Sequence, residues 1–224
     1  MNQKKFNKIV LFDIDHTIFD TILYRNNLYK NLAKEFNADV NEFSEIAQNE
    51  YIKLRKTTYY LDPDVFLNTI LTHSEKKIDH QKLKVIFWDK KLYEKSIYPD
   101  VKNVFSYLAK NNIQIGIFST VESTHQKIKI ESLNEYLTEN HIYISKDKFK
   151  IIKKTFAKYK NHQVYLVDDY PQILESTKSH HKNIFTVFIK RQKAHSNLVI
   201  PENFKPDASI TNLNQLIDII ETNN

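Results

Sequence analysis

Residues 8–19 read KIVLFDIDHTIF. The first five, KIVLF, are a short apolar run of β-branched and aromatic type, which reads as a buried strand. Three polar residues follow at alternate positions: Asp13, Asp15 and Thr17. Two residues apart, the carboxylates share one side of an extended segment. A buried strand that ends in paired acids is the pattern of a parallel sheet whose site lies at the carboxyl ends of its strands.

Further along, the chain alternates. Val101, Val104, Phe105 and Leu108 fall at helical spacing behind Pro99. Strands are expected at 113–118, 141–144, 163–167, 184–189 and 208–210. Helices are expected at 123–133, 148–160 and 171–179, with a last one carrying Leu213, Leu216, Ile217 and Ile220 on one stripe. Such alternation predicts an α/β fold, a parallel sheet covered by helices on both faces. Residues 20–94 differ. They are rich in charge, Asn, Tyr and Leu with helical periodicity, and Asp62-Pro63 reads as an N-cap followed by proline at the first helical position. Residues 190–206 read as an exposed basic loop.

Composition removes several classes of chemistry. The 224 residues include no cysteine, which excludes disulfides, thiolate zinc sites and cysteine nucleophiles. They include one glycine, Gly116, so there is no Walker loop, dinucleotide fingerprint or serine-hydrolase elbow. A phosphate site here must use side chains, a metal and helix N-termini. Lys and Arg outnumber Asp and Glu by 33 to 27, a net +6 spread along the chain. That suits an anionic small molecule more than nucleic acid, for which a dense basic patch is expected. No run approaches the ~20 apolar residues of a membrane span. The N-terminal apolar run is short and broken by carboxylates, a poor secretory signal. Together with the absence of cysteine, this gives a cytoplasmic expectation.

The residue after each expected strand is informative. After the second come Ser119 and Thr120, after the third Lys146 and Lys148, after the fourth Asp168 and Asp169. Carboxylates gathered at one rim repel unless a cation sits among them, and few hard oxygen ligands with room for water suit Mg²⁺. A hydroxyl and an ammonium beside that cation suit a phosphoryl group. One carboxylate can attack phosphorus, and a second can protonate the leaving oxygen and later activate water.

This set resembles the haloacid dehalogenase superfamily of phosphatases. FDIDHTIF matches its first motif, GIFST its second, a lysine near SKDKFK its third and LVDDYP its fourth. IYPDVKNVFSYLAKNNIQIGIFST and KPDASITNLNQLIDII look like its connecting and terminal segments, so the resemblance spans essentially the whole chain. It implies a Rossmann-like core over residues 1–20 and 95–224, with an inserted all-helical cap over 21–94. It further implies Asp13 as nucleophile and metal ligand, and Asp15 as general acid and base with its backbone carbonyl on the metal. Thr17 would support the loop and, with Ser119 and Thr120, the phosphoryl group. Lys148 would steady nucleophile and phosphate, and Asp168 and Asp169 would complete the Mg²⁺ site. The expected substrate is a small phosphorylated metabolite. The third motif lacks the usual Lys-Pro pair, so Lys146 and Lys150 stay open beside Lys148. His16, Asp100 and Asn112 stand where glycine is frequent, which bears on loop geometry. Lys53, Arg55, Lys56, Tyr59 and Tyr60 read either as a solvated basic helix end with two packing tyrosines or, for some of them, as cap residues that contact the substrate beyond its phosphate.

Within the family a dehalogenase has no need of Asp15 as acid and base, whereas a sugar phosphomutase does. A non-catalytic phosphoryl-binding protein of the same fold stays open as well. VYLVDDYPQILESTK also resembles the start of a receiver domain, but only 57 residues follow Val167, too few for the rest of one.

Overall fold

The KIVLF run forms β1 (Asn7–Phe12), a central strand of a six-stranded sheet. The computed structural model describes residues 7–58, 62–75, 77–120, 123–191, 200–201 and 204–223. The other strands are β2 (Gln114–Thr120), β3 (Ile142–Ser145), β4 (His162–Asp168), β5 (Phe185–Ile189) and β6 (Ala208–Ile210), in the order β3-β2-β1-β4-β5-β6 with every pairing parallel. Ile9 to Phe12 are fully buried, as a strand covered on both faces must be. On one face Ile9 and Leu11 pack with Val164, Leu166 and Phe118 against Ile152 and Phe156 of α8 (Lys148–Phe156) and Leu174 of α9 (Pro171–His180). On the other, the Phe12 ring lies 5.0 Å from that of Phe105 in α6 (Pro99–Lys110), beside which runs α10 (Gln215–Thr222). Each such buried side chain contributes about 1.5–3 kcal/mol relative to exposure.

Two helices end earlier than the periodicity suggested. α7 (Ser123–Ile130) gives way to a 3₁₀ turn at Glu131–Leu133, and α8 to another at Ala157–Tyr159. The second turn buries Tyr159 and brings its hydroxyl 2.7 Å from His141 Nδ1 and 3.0 Å from the Tyr143 hydroxyl. A regular helix would carry that ring elsewhere, and the apolar periodicity does not record the tighter turn.

The chain divides into two compact units, Met1–Asp20 with Ile97–Asn224, and Thr21–Ser96. The inserted unit is helical: α1 (Thr21–Phe36), α2 (Val40–Thr58), α3 (Pro63–Leu71), α4 (His80–Phe87) and α5 (Lys90–Glu94). Tyr24, Leu28, Leu32 and Phe36 recur every fourth residue on the buried face of α1. The Tyr24 hydroxyl donates to that of Tyr93 at 2.7 Å. Asp62, Asp79 and Asp89 each accept a backbone N–H at the start of α3, α4 and α5, satisfying donors the helix leaves unpaired. Lys53 pairs with Glu50 at 2.6 Å. Tyr59, Tyr60 and the side chain of Arg55 lie outside the described residues. Among the described residues no helix is long and apolar enough to cross a membrane.

The expectation of an exposed basic loop from residue 190 fails at its second residue. Arg191 is buried, and its guanidinium donates to both Asp100 carboxylate oxygens at 2.6 and 3.1 Å and to the Thr17 carbonyl at 2.7 Å. Asp100 also accepts the Leu213 N–H at 2.7 Å. So Asp100 is not a loop-geometry substitute for glycine. It is half of a buried ion pair that ties α6, the end of β5 and the segment after β1 together. Removing one partner of such a pair leaves a buried charge, at a cost of about 3–5 kcal/mol. Asn112 does shape a turn: it takes φ 54° after α6, and Asn37 takes φ 50° after α1. Asparagine tolerates this left-handed position, which usually falls to glycine at helix ends.

Gly116 serves a different need. A Cβ placed there would lie 2.5 Å from the His141 carbonyl oxygen, 2.6 Å from Leu11 Cδ2 and 2.7 Å from His141 Cβ. The first of these is backbone and cannot swing aside. Gly116→Ala is therefore expected to destabilise the protein by about 1–3 kcal/mol, the range for overpacking a filled core. Urea unfolding should show a lower midpoint with an unchanged slope.

Candidate active site

The strand order reverses direction between β1 and β4. From β1 the chain proceeds to β2 and β3 on one side, then crosses to β4, β5 and β6 on the other. In open α/β sheets the crevice outside the carboxyl ends at such a point receives ligands. Asp13 immediately follows β1, and its N–H extends the ladder to the Val167 carbonyl at 2.9 Å. Asp168 closes β4, and Asp169 follows it. Each of the three offers an oxygen, and these lie within 4.8 Å of one another in buried surroundings.

Lys148 reaches this cluster from the first residue of α8, where the Asp147 side chain caps the helix through the Phe149 N–H at 2.9 Å. Its Nζ lies 2.5 Å from Asp13 Oδ1 and 2.6 Å from Asp168 Oδ2. Of the three lysines left open by the sequence, only Lys148 is buried. Lys146 is exposed, and Lys150 is exposed and 3.7 Å from Asp147. Burial is the strongest influence on the Asp13 carboxyl and raises its pKa, Lys148 pulls it back, and Asp168 and Asp169 push it up again. Asp168 is raised by burial in the same way, with Lys148 opposing. Burial alone would lower the Lys148 ammonium, but Asp13 and Asp168 outweigh it and hold the group above its ordinary range.

Asp15 stands apart from this cluster, on the loop between β1 and α1. The loop is knit by backbone bonds from Thr17, Ile18 and Phe19 N–H to the Ile14 carbonyl, at 3.2, 3.0 and 2.9 Å. Its turn requires φ 58° at His16, a left-handed backbone that explains why a small residue is at home there. Thr17 is fully buried behind it, and its carbonyl takes the Arg191 contact. Two side chains of α7 address Asp15. Gln126 Nε2 donates to Oδ2 at 2.8 Å, and Lys129 Nζ to Oδ1 at 2.7 Å. The same Gln126 amide reaches the Thr120 carbonyl at 2.7 Å and lies 3.4 Å from Ser119 Oγ. Ser119 is buried at the end of β2, and Thr120 is half-buried beside it. His125 lies on the same helix, and burial with the nearby Lys129 pushes its pKa down to about 3, so the cation beside Asp15 is the lysine.

A family model described as haloacid dehalogenase-like hydrolase matches residues 7–190. The chain belongs to the haloacid dehalogenase-like hydrolases. Among solved structures, a candidate haloacid dehalogenase-like hydrolase from Burkholderia xenovorans LB400 is similar at 20% identity and TM-score 0.74, covering 97% of this chain and 98% of that one. The candidate HAD-hydrolase YfnB from Bacillus subtilis, described as bound to magnesium, is 16% identical with TM-score 0.62, covering 96% and 99%. The defluorinating L-2-haloacid dehalogenase Rha0230 is 16% identical with TM-score 0.69, covering 96% and 95%. At these identities the likeness shows the fold. No curated protein matches the chain.

For a hydrolase of this family, the donor set passes a simple test of fit to a divalent cation. Four carboxylates, Asp13, Asp15, Asp168 and Asp169, face two ammoniums, Lys148 and Lys129. Fully ionised, the set lacks two positive charges, and buried charges are costly unless compensated. The oxygens of Asp13, Asp168 and Asp169 are close enough to share one small hard cation.

Gln126 and Lys129 escaped the sequence reading. In a chain with this many lysines a single one carries little signal. Their spacing of three places both on one face of the helix behind GIFST, and two polar residues on an inward face are a cue that could have found them.

The buried Lys148 gives a measurable asymmetry. Lys148→Met strands two buried carboxylates and is expected to lower stability by about 3 kcal/mol near neutral pH. Lys150→Met should change it by less than about 0.5 kcal/mol, as exposed sites do. Equal shifts in urea unfolding would contradict the geometry.

Proposed function

We propose that the protein is a magnesium-dependent phosphatase acting on a small phosphorylated metabolite. The observation that carries this reading is Asp15, a second carboxylate two residues beyond Asp13 and held in place by its own donors. Hydrolysis of a carbon–halogen bond through Asp13 has no use for an acid that protonates a leaving oxygen. Transfer of a phosphoryl group from an alcohol does.

In the proposed reaction Asp13 attacks phosphorus, oriented by the Lys148 ammonium on its Oδ1. The bond from phosphorus to the leaving oxygen breaks as Asp15 delivers its proton to that oxygen. Asp15 then takes a proton from water, the water oxygen bonds to phosphorus, and the aspartyl phosphate is cleaved to return Asp13. Ser119 and Thr120, at the end of β2, serve as contacts for the phosphoryl oxygens, and Thr17 supports the loop that carries both acids. Asp13, Asp168, Asp169 and the Asp15 carbonyl would hold Mg²⁺, which would supply charge neutralisation for the phosphate. The Lys148 ammonium also keeps Asp13 from recoiling from the anionic substrate.

An amide of equal size cannot attack phosphorus, so Asp13→Asn should reduce turnover of para-nitrophenyl phosphate to background while thermal unfolding shows an intact fold. Chelation should stop the wild-type protein and Mg²⁺ restore it. Ca²⁺, which prefers more ligands, should restore it poorly. Retention of more than a few per cent of activity by Asp13→Asn would remove Asp13 as nucleophile.

A further inference from the structure

The two α7 contacts on Asp15 have no part in the reaction as written, yet both are built with care. Gln126 is 1% and Lys129 5% exposed, whereas Lys127 between them is exposed. A lysine withdrawn from water needs an anionic partner, and Asp15 lies 2.7 Å from it. The Lys129 ammonium also sits 5.2 Å above the ring of Phe19, on the loop that carries Asp15. Phe19 is fixed in turn, since its carbonyl accepts the His16 N–H at 2.8 Å. The Gln126 amide has two N–H groups. Asp15 Oδ2 and the Thr120 carbonyl are both acceptors, which settles which end of the amide faces them. The side chain therefore joins the loop after β1 to the end of β2.

We infer that Gln126 and Lys129 are positioning residues that hold the Asp15 carboxylate in the plane and direction from which it serves the leaving oxygen of the substrate, an inference that rests on the phosphatase reading. Each Asp15 oxygen takes one donor from α7. The two donors therefore fix the carboxylate at both of its oxygens. Asp15 is otherwise a partly exposed side chain on a loop, with 29% of its side-chain surface accessible. Loss of the two donors loosens the carboxylate, and proton transfer loses efficiency steeply with misplacement. Lys129 and Gln126 touch no reacting atom in this scheme. They act through Asp15.

The test is a series of substituted phenyl phosphates whose leaving groups run from nitrophenol to unsubstituted phenol, with Mg²⁺ present and kcat/KM measured for each. This parameter reports steps up to and including phosphoryl transfer, where the leaving oxygen takes its proton. Nitrophenol departs with little help, and phenol needs the acid. Lys129→Met and Gln126→Leu are expected to lose a few-fold at most with nitrophenyl phosphate, and about tenfold or more with phenyl phosphate. Lys129→Arg should recover part of the loss, and Lys127→Met should track the wild type. A role in folding alone would lower every substrate in proportion, and such parallel loss in both variants overturns the inference. If Lys129→Met does not fold, Lys129→Gln, which keeps the length and drops the charge, is read in its place. Asp15→Asn in the same series separates the two levels of the argument. A wild-type protein inert towards every member, or an Asp15→Asn protein with wild-type rates, removes the phosphatase reading and the inference with it. An Asp15→Asn protein that fails while the α7 variants lose in parallel removes the inference alone.

Discussion

Three aspartates are buried together at the carboxyl edge of two neighbouring strands, with a fourth on the adjoining loop, and the need to neutralise them is the constraint around which this end of the molecule is arranged. Lys148 answers it most directly, with its ammonium within hydrogen-bonding distance of both Asp13 and Asp168. It does so from the first residue of a helix whose start is fixed by the Asp147 cap. Side chains at that position lean back towards the helix N-terminus, so the fold delivers the charge to the sheet edge without a long reach. Lys129 meets the same need at Asp15 from the next helix along. The two ammoniums divide the acids into three gathered beside Lys148, Asp13 among them, and one, Asp15, held apart. That separation gives two carboxylates two environments, a condition for one to act as nucleophile and the other as proton carrier.

Most of the fold was legible because its signals are local. KIVLF and QVYLV are continuous apolar runs, and the structure buries them on both faces of a parallel sheet. Pro99 and Asp62-Pro63 mark helix starts through backbone chemistry that depends on no distant partner. The gathering of Asp13, Asp168 and Asp169 was legible for the same reason, since each lies at the carboxyl end of an expected strand. What the sequence hid are pairings across long separations. Arg191 and Asp100 are 91 residues apart, and Lys129 and Asp15 are 114 apart. A lysine or arginine that ends in a buried ion pair looks, in sequence, like any solvated one. On that ground the sequence predicts an exposed loop at Arg191, where the structure buries the side chain.

The choice among three lysines shows the boundary between the two kinds of information. Spacing alone placed Lys146, Lys148 and Lys150 near the same rim, on alternate residues of one segment. The strand ends at Ser145 and the helix begins at Lys148, so the three point in different directions, and only the middle one turns inward. Periodicity can say that a strand passes into a helix here. The expected helix start at 148 coincides with the observed one, and what only the structure supplies is the pair of buried carboxylates that the lysine at that start meets.

The shortage of glycine makes the remaining backbone demands visible. Left-handed turns are met by Asn37, Asn112 and His16, side chains that tolerate positive φ at a modest cost of strain. Gly116 has no such substitute, because its constraint is space and not angle: the His141 carbonyl occupies the place a Cβ would take. A chain that replaces glycine where an angle is required, and keeps it where a volume is required, separates two reasons for glycine that sequence reading ordinarily merges. His16 is the telling case, since its left-handed backbone lies between Asp15 and Thr17. The strain there is retained within a loop tied by Ile14, Phe19 and Arg191, so the direction of Asp15 is set by backbone geometry on one side and by Gln126 and Lys129 on the other. A carboxylate constrained from both sides has little freedom to turn away from a substrate.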